Sequence, residues 1–198
     1  MFKVAVGHSE DVLAVEAAKE VIGQIEASLD GARPQAGILL CSIDFDHALI
    51  LSIIREAFPA IQLIGCTTDG ELSSVLGFTE DSLALMVFAS DTVEIRAGFG
   101  REAAGKGEAA GRDAAASARA GLSRRAGEER FAVILTDPLN AGVSGVDRGI
   151  REVLGRSFPV IGGAAAAHSK QRKTFQFCNG ATLTDGVALL QNRSEEHT

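Results

Sequence analysis

Residues 54–66 read IREAFPAIQLIGC, and residues 150–163 read IREVLGRSFPVIGG. Each copy is predicted to end a helix near Phe-Pro, because proline cannot continue a helix, and then to enter a short apolar strand that reaches glycine. The segments that flank the two copies also match in order and type. This repetition predicts two related halves, residues 1–91 and 92–192.

Each half is predicted to run strand–helix–strand–helix–strand and to add an antiparallel edge strand. Apolar residues recur at helical spacing from Val12 to Leu29, which indicates the first helix. Residues 37–41 and 61–66 are too apolar for strands with one wet face, so both are predicted to be buried on both faces. Strands joined by helical crossovers run parallel. We therefore predict an α/β fold with a mixed, mainly parallel sheet and antiparallel edge hairpins.

Composition excludes several classes of protein. The 198 residues include 26 acidic and 19 basic side chains, a net charge of −7 that argues against a nucleic-acid binder. No apolar run approaches the roughly 18–20 residues of a membrane span, and the N-terminus has no signal-peptide pattern. The three cysteines, Cys41, Cys66 and Cys178, are an odd number without CxxC spacing. Such cysteines are typical of reduced thiols, so we expect a cytoplasmic protein.

The last six residues differ from the rest of the chain. Residues 193–198 read RSEEHT and follow a strand pattern abruptly. The hexapeptide resembles the translation of a common short-read sequencing adapter. We therefore expect the native domain to reach about residue 192, and we expect residues 193–198 to be a non-native tail that packs against nothing.

Polar residues follow the buried strands at their carboxyl ends, where ligands bind in parallel sheets. Backbone N–H groups, hydroxyls and a carboxylate at such an edge suit an amino-acid-like ligand, with its ammonium on Asp69. The alternative is a structural turn, because Thr and Asp are common helix caps and Gly70 permits a positive φ. The predicted ligand-binding residues are Thr67, Thr68, Asp69, Ser42, Thr136 and Gly163.

Residues 100–107, GREAAGKG, nearly match the P-loop GxxxxGK[ST]. Gly107 stands where the motif needs a Ser or Thr to hold Mg²⁺, so the pattern favours an ordinary glycine-rich loop. An enzyme or binder that acts on a phosphorylated small molecule through residues 98–106 is the alternative, because backbone amides at a helix N-terminus attract anions.

Other chemistries have weaker support in the sequence. His8, Cys41 and Cys66 are zinc-ligand types without paired spacing. The GxSxG motif of a hydrolase nucleophile elbow is absent from the sequence. Haem ligation by His168 or His47 remains an alternative. We therefore expect no catalysis, no metal and no cofactor.

The stretches IGCTTDGE at 64–71, FPVIGGAA at 158–165, and FCNG with TDGVALL within 177–190 together resemble the N-terminal FIST domain in order and spacing. The resemblance covers the chain from about Val4 to Leu190. It implies a sensory input module of bacterial signal transduction that binds small ligands such as amino acids, and some members are similar to haem-based gas sensors. It also implies that a C-terminal FIST domain follows. The chain departs from the family at residues 164–168, AAAAH, where a small-residue stretch with Gly and Asp is usual.

Overall fold

The computed structural model describes residues 1–123, 127–138, 143–167 and 173–194, and the two halves show the same order of elements. The first half contains β1 (Phe2–Ser9), α1 (Ala14–Leu29), β2 (Ala36–Ser42), α2 (His47–Ala57), β3 (Gln62–Thr68), β4 (Glu71–Ser73), β5 (Gly77–Thr79) and β6 (Leu83–Ser90). The second half contains β7 (Val93–Arg101), α3 (Ala103–Gly121), β8 (Glu128–Thr136), α4 (Val143–Leu154), β9 (Val160–Ala164), β10 (Gln176–Cys178), β11 (Ala181–Leu183) and β12 (Gly186–Ser194). The predicted α/β class is confirmed.

The strands form two main sheets with corresponding strand orders. The first sheet has the order β1-β6-β2-β3-β10-β11, and the second has the order β7-β12-β8-β9. The first four positions of the first sheet therefore match the second sheet strand for strand. The first sheet gains its last two strands from the second half, because the hairpin β10–β11 crosses over and pairs with β3. The equivalent hairpin of the first half, β4–β5, forms a separate two-stranded sheet.

The expectation of a mainly parallel sheet is wrong. Of the strand pairs within the described residues, β2–β3 and β8–β9 are parallel and the others are antiparallel. The reason is that the last strand of each half returns into the middle of its sheet. β6 lies between β1 and β2, and β12 lies between β7 and β8, so each separates two strands that would otherwise be parallel neighbours.

The helices cover the outer faces of the sheets, and the inner faces of the sheets pack on each other. Side chains of α1 and α2 form one apolar cluster with the outer face of the first sheet. A second cluster joins α3 and α4 to the second sheet, and a third fills the space between the two sheets. The result is a four-layer sandwich. Among the helices that the structure describes, none combines the length and the apolar character that a bilayer span requires.

Glycines permit close contacts between neighbouring strands, and the repeat preserves one such contact. A Cβ on Gly65 of β3 would lie 2.3 Å from the carbonyl oxygen of Leu39, and a Cβ on Gly162 of β9 would lie 1.9 Å from that of Ile134. The parallel registers place Gly65 beside Leu39 and Gly162 beside Ile134. Equivalent positions in the two halves therefore carry glycine for the same steric reason.

The first two residues of the expected tail belong to the fold. β12 continues through Arg193 and Ser194, which pair with β7 and β8. The Arg193 guanidinium lies 3.0 Å from the Glu129 carboxylate and also donates to the Ser123 carbonyl. The expectation that residues 193–198 contact nothing is therefore wrong for these two residues, because antiparallel pairing extends the strand. Residues 195–198 lie outside the described residues.

Candidate ligand site at the carboxyl ends of β2 and β3

Thr67, at the end of β3, holds the two halves together. It is fully buried. Its N–H donates to the Phe175 carbonyl at 2.9 Å, and its hydroxyl oxygen accepts from the Phe175 N–H at 3.1 Å. Its carbonyl accepts from the Ala166 N–H at 2.8 Å. The polar groups of Thr67 are therefore engaged in joining β3 to two segments of the second half.

Thr68 and Asp69 lie in the turn that leads from β3 to β4. Thr68 is half-buried, and its hydroxyl donates to the Glu71 carboxylate. Asp69 is exposed to solvent. The turn thus places one hydroxyl on an internal carboxylate and one carboxylate at the surface, beside the end of β2.

Ser42 lies next to Thr68, because the parallel register of β2 and β3 pairs the two residues. It is buried, and its hydroxyl lies 3.2 Å from the Asp81 carboxylate, to which it donates. The same hydroxyl oxygen accepts from the Asp44 N–H at 3.4 Å. The sequence-based expectation that the ends of these two strands converge is met by Ser42 and Thr68.

Thr136 and Gly163 belong to the second half. Thr136 is buried, and its hydroxyl has no hydrogen-bond partner within the described part of the chain. The Thr136 carbonyl accepts from the Ala165 N–H at 2.9 Å. The N–H of the next residue, Ala166, donates to the Thr67 carbonyl, so these two residues link Thr136 to Thr67. Gly163 lies on the exposed strand β9 and pairs with Leu135 of β8.

A cavity of about 220 Å³ opens at the carboxyl end of β2. Of the six predicted residues it contains Ser42. Two carboxylates and a hydroxyl provide acceptors for a cationic group, and two apolar side chains supply a wall. The carboxylates were missed by sequence reasoning, although the run Asp44-Phe45-Asp46 directly after a buried strand is a readable signal. The cavity is lined by Val12, Ser42, Asp44, Phe45 and Asp81.

A buried polar network lies directly behind this cavity. His8 Nδ1 lies 2.7 Å from Ser73 Oγ, and Nε2 lies 2.9 Å from both Ser82 Oγ and Thr79 Oγ1. The Glu71 carboxylate accepts the Ser82 N–H at 3.2 Å and also the Ser82 hydroxyl. Ser82 follows Asp81, whose φ of 52° is left-handed. The network therefore fixes the chain at the cavity wall.

The network contains the residue types of a Ser–His–acid triad without its geometry. In a triad the acid orients the histidine, whereas here Glu71 bonds Ser82. His8, Ser82 and Glu71 are all buried. Burial lowers the pKa of His8 below 6.5, against the raising effect of Glu71 and Glu10, so the ring is neutral near pH 7. The arrangement is that of a structural core of hydrogen bonds.

Of the residues considered for metal or haem, His8 belongs to the polar network, and Cys41, Cys66 and His47 are buried. Burial raises the pKa of the Cys66 thiol to about 12 and raises that of Cys41 as well. His47 Nε2 lies 3.1 Å from the Ser42 carbonyl, and its ring packs on Phe175 and Phe177. Among the described residues, no three His, Cys, Asp or Glu side chains are grouped to hold a metal ion. His168, the other candidate haem ligand, lies outside the described residues.

The near-P-loop runs from the end of β7 into the first turns of α3. A Cβ on Gly100 would lie 1.9 Å from the Ala110 carbonyl oxygen, which shows that glycine serves helix–strand packing there. Lys106 Nζ lies 2.6 Å from the Glu102 carboxylate at the surface. The lysine that would hold phosphates in a P-loop is thus paired with a carboxylate.

Comparison with known proteins identifies a family. A search of curated proteins found no match. The fold is similar to that of cyanuric acid hydrolase from A. caulinodans, with a TM-score of 0.51 and 9% sequence identity over 98% of this chain and 72% of that chain. The FIST N domain family matches residues 35–195, from β2 through the end of β12 and so across most of both sheets. The chain therefore belongs to the FIST N domain family, a family of sensory domains in signal transduction.

Proposed function

We propose that this sensory domain binds a small molecule with an ammonium group, such as an amino acid, in the cavity at the carboxyl end of β2. One observation carries the proposal: the Asp44 and Asp81 carboxylates line the same small cavity as the buried Ser42 hydroxyl. Charge-assisted hydrogen bonds from an ammonium to carboxylates are among the stronger polar contacts in proteins. The ligand class follows from this donor–acceptor match.

The size of the cavity supports a ligand of amino-acid dimensions. Liquid water occupies about 30 Å³ per molecule, so a cavity of about 220 Å³ holds about seven water-sized groups. Val12 and Phe45 offer apolar surface to an aliphatic side chain. α1 begins just after Val12, and Leu13 at its N-cap makes no side-chain capping bond. The N–H groups of that first turn suit a ligand carboxylate.

Thr68 and Asp69 form the adjoining part of the proposed site. Thr68 pairs with Ser42 in the sheet register, and Asp69 is the exposed carboxylate that follows it. We propose that Asp69 adds negative charge at the entrance. Thr67 and Thr136 act in this proposal as supports, because both lie buried where the two halves meet.

In this proposal the ligand binds reversibly and is not converted to a product. His8, Ser82 and Glu71, which supply the residue types of a Ser–His–acid triad, are buried, and Ser82 is hydrogen-bonded to both of the others. A ligand incubated with the protein is expected to be recovered unchanged, as followed by NMR of the ligand. Conversion of a bound ligand to product would show that the domain is an enzyme.

The site is tested with a dye-based thermal-shift screen of the common amino acids and small amines, followed by calorimetry on each hit. The chain contains no Trp or Tyr, so intrinsic fluorescence is unsuitable. Asp81→Asn removes a charge while keeping a residue that tolerates a left-handed φ. We expect it to weaken binding by about 10- to 100-fold, the loss of one charged hydrogen bond.

The matched control is Asp113→Asn, which makes the same change on the exposed face of α3. It should leave affinity unchanged. Ser42→Ala is expected to weaken binding, because the hydroxyl both lines the cavity and orients Asp81. Equal affinities for the wild type, Asp81→Asn and Ser42→Ala would contradict this site. A screen without any stabilising ligand would contradict the proposal of an amine ligand.

A further inference from the structure

The hairpins β4–β5 and β10–β11 are built in the same way. In the first, the Glu71 carboxylate accepts the Ser82 N–H at 3.2 Å, and in the second, the Gln176 amide oxygen accepts the Gly186 N–H at 3.0 Å. The residue before each of these N–H groups is an aspartate with a left-handed φ, 52° in the first half and 56° in the second. The two hairpins are therefore equivalent parts of the repeat.

The second hairpin shows how such a hairpin docks. β10 pairs antiparallel with β3 of the other half, with Gln176 opposite Cys66, Phe177 opposite Gly65 and Cys178 opposite Ile64. Phe177 is fully buried, and a Cβ on Gly65 would lie 2.8 Å from its ring. The docking thus inserts one large apolar side chain of the hairpin over one glycine of the acceptor strand.

The first hairpin carries an apolar side chain at the equivalent position, but that side chain is not buried against an acceptor strand. Leu72, the counterpart of Phe177, is 76% exposed, and its cross-strand neighbour Phe78 is 64% exposed. On the opposite face of the hairpin, Ser73 and Thr79 hydrogen-bond His8. The polar face is therefore anchored to the sheet, and the apolar face is held rigidly towards solvent.

The second half has the matching acceptor strand without a hairpin. Within residues 1–123, 127–138, 143–167 and 173–194, β9 is an edge strand whose one neighbour is β8. Its Gly162 is the counterpart of Gly65, and Ile161 beside it is 59% exposed. Residues 160–164 contain no charge and no proline, the devices by which proteins usually protect an open edge.

The backbone of β9 is oriented to accept a strand. The Ala165 N–H donates to the Thr136 carbonyl of β8 at 2.9 Å, so the N–H of the preceding Ala164 points away from β8. The counterpart of Ala164 in the first half is Thr67, whose N–H donates to the Phe175 carbonyl at the start of the docked hairpin. The Ala164 N–H of β9 is therefore oriented to donate the equivalent hydrogen bond to an incoming strand.

We propose that a second copy of this chain docks its β4–β5 hairpin on β9, in the register that β10 shows on β3. Glu71 of the docking copy then lies opposite Gly163, Leu72 opposite Gly162, and Ser73 opposite Ile161. A second copy is the indicated occupant because, in the described part of each chain, the hairpin β4–β5 is undocked and β9, the counterpart of the acceptor strand β3, has an open edge. The equivalent junction, β10 on β3, already exists within the chain. Two chains that exchange hairpins close with twofold symmetry.

Sedimentation equilibrium between about 1 and 200 µM tests the assembly, a range that covers micromolar dissociation constants. The wild type is expected to self-associate. Leu72→Arg should raise the dissociation constant at least about tenfold, because it puts a charge over Gly162. Ala164→Pro should do the same, since it removes the N–H directed at the incoming strand and leaves the β8 ladder intact.

The control is Leu49→Arg, the same change at an exposed apolar residue of α2, and it should leave association unchanged. A circular-dichroism melt of each variant verifies that it is folded. A wild type that remains monomeric at the highest concentration would overturn the proposal. So would a dimer that Leu72→Arg and Ala164→Pro both leave intact.

Cross-linking tests the register independently of affinity. Chains with Ser73→Cys and chains with Ile161→Cys, mixed under mild oxidation, should form a disulfide-linked heterodimer, because Cys178 and Ile64 are opposite each other in the existing junction. The three native cysteines are buried, so they do not compete. Ser73→Cys mixed with Leu49→Cys serves as the control. Equal cross-linking in both mixtures would contradict the register.

Discussion

Single residues in this protein act mainly through what they allow their neighbours to do. Gly65 admits the Leu39 carbonyl on one side and the Phe177 ring on the other, and Gly162 repeats the first contact in the second half. Ser42 supplies a hydroxyl to the cavity and also holds Asp81. Such residues explain why short glycine-containing motifs at fixed spacing signal the family although none of them is specific alone.

Gly65→Ala is expected to destabilise the protein by about 1–3 kcal/mol, because its methyl group would overlap backbone that cannot move without disturbing β2. Gly23→Ala is the matched control: a Cβ there meets nothing within 4 Å on the exposed face of α1. It should stabilise the protein by about 0.5–1 kcal/mol through helix propensity. Urea denaturation measures both, and equal effects of the two substitutions would contradict the steric argument.

The buried His8 predicts a loss of stability in mild acid. Burial lowers its pKa in the folded state below 6.5, so above that pH the ring is neutral whether the chain is folded or unfolded. As the pH falls from about 6.5 towards the folded pKa, the unfolded chain takes up the proton first, and the free energy of unfolding decreases. His47 contributes in the same direction, because burial also lowers its pKa.

Urea denaturation of the wild type and of His8→Gln at about pH 7.5 and pH 5.5 measures how much His8 contributes to the loss of stability in acid. Glutamine cannot titrate, so the variant should lose less stability between the two pH values than the wild type does, although it is less stable at pH 7.5. The carboxylates form a background that both proteins share. An equal loss in both proteins would show that His8 does not contribute to the acid sensitivity.

At the scale of elements, pairing determines what a segment becomes. The end of β12 illustrates this, because its composition suggests a free tail while its backbone pairs with both β7 and β8. The Arg193 guanidinium then forms an ion pair with the Glu129 carboxylate, and both side chains are largely shielded from solvent. The near-P-loop is similarly misleading: its first glycine, Gly100 of β7, allows close contact with the Ala110 backbone of α3. Further along α3, Gly111 allows close contact with the Val146 backbone of α4.

Two truncations isolate the contribution of the end of β12. Removal of residues 193–198 is expected to lower stability by about 1–3 kcal/mol relative to removal of residues 195–198, because it removes the Arg193 ion pair with Glu129 and the Arg193 hydrogen bond to the Ser123 carbonyl. Differential scanning calorimetry of the two truncated proteins measures the difference. Arg193→Lys in the full chain is the control, since it keeps the charge. Identical melting temperatures for the two truncations would show that the paired end adds nothing.

On the scale of the whole molecule, the two halves are joined by exchange as well as by packing. The inner faces of both sheets share one apolar cluster, and the hairpin β10–β11 completes the first sheet from the second half. Within the described residues, this exchange leaves the hairpin β4–β5 undocked and leaves β9, the counterpart of β3, with an open edge. The candidate ligand cavity lies in the first half, beside the His8 network that anchors the unfilled hairpin. The proposed ligand site and the proposed docking hairpin therefore lie in neighbouring parts of the molecule.

Sequence patterns were enough to predict the α/β class, the two related halves, the FIST resemblance and the polar ends of the buried strands. These features are local: hydrophobic periodicity, Gly-Pro punctuation and the residues that follow a strand are all read within a short window. Ser42 and Thr68 could be placed together for this reason, because adjacent parallel strands end at the same edge.

Three features emerge only from the folded chain: β6 and β12 lie in the middle of their sheets, β10–β11 crosses to β3, and Asp44 and Asp81 line one cavity. Each of these depends on pairing between segments far apart in the chain. An apolar strand is equally compatible with several neighbours, and the choice among them is made by the packing of whole faces, a property that no single segment of sequence contains.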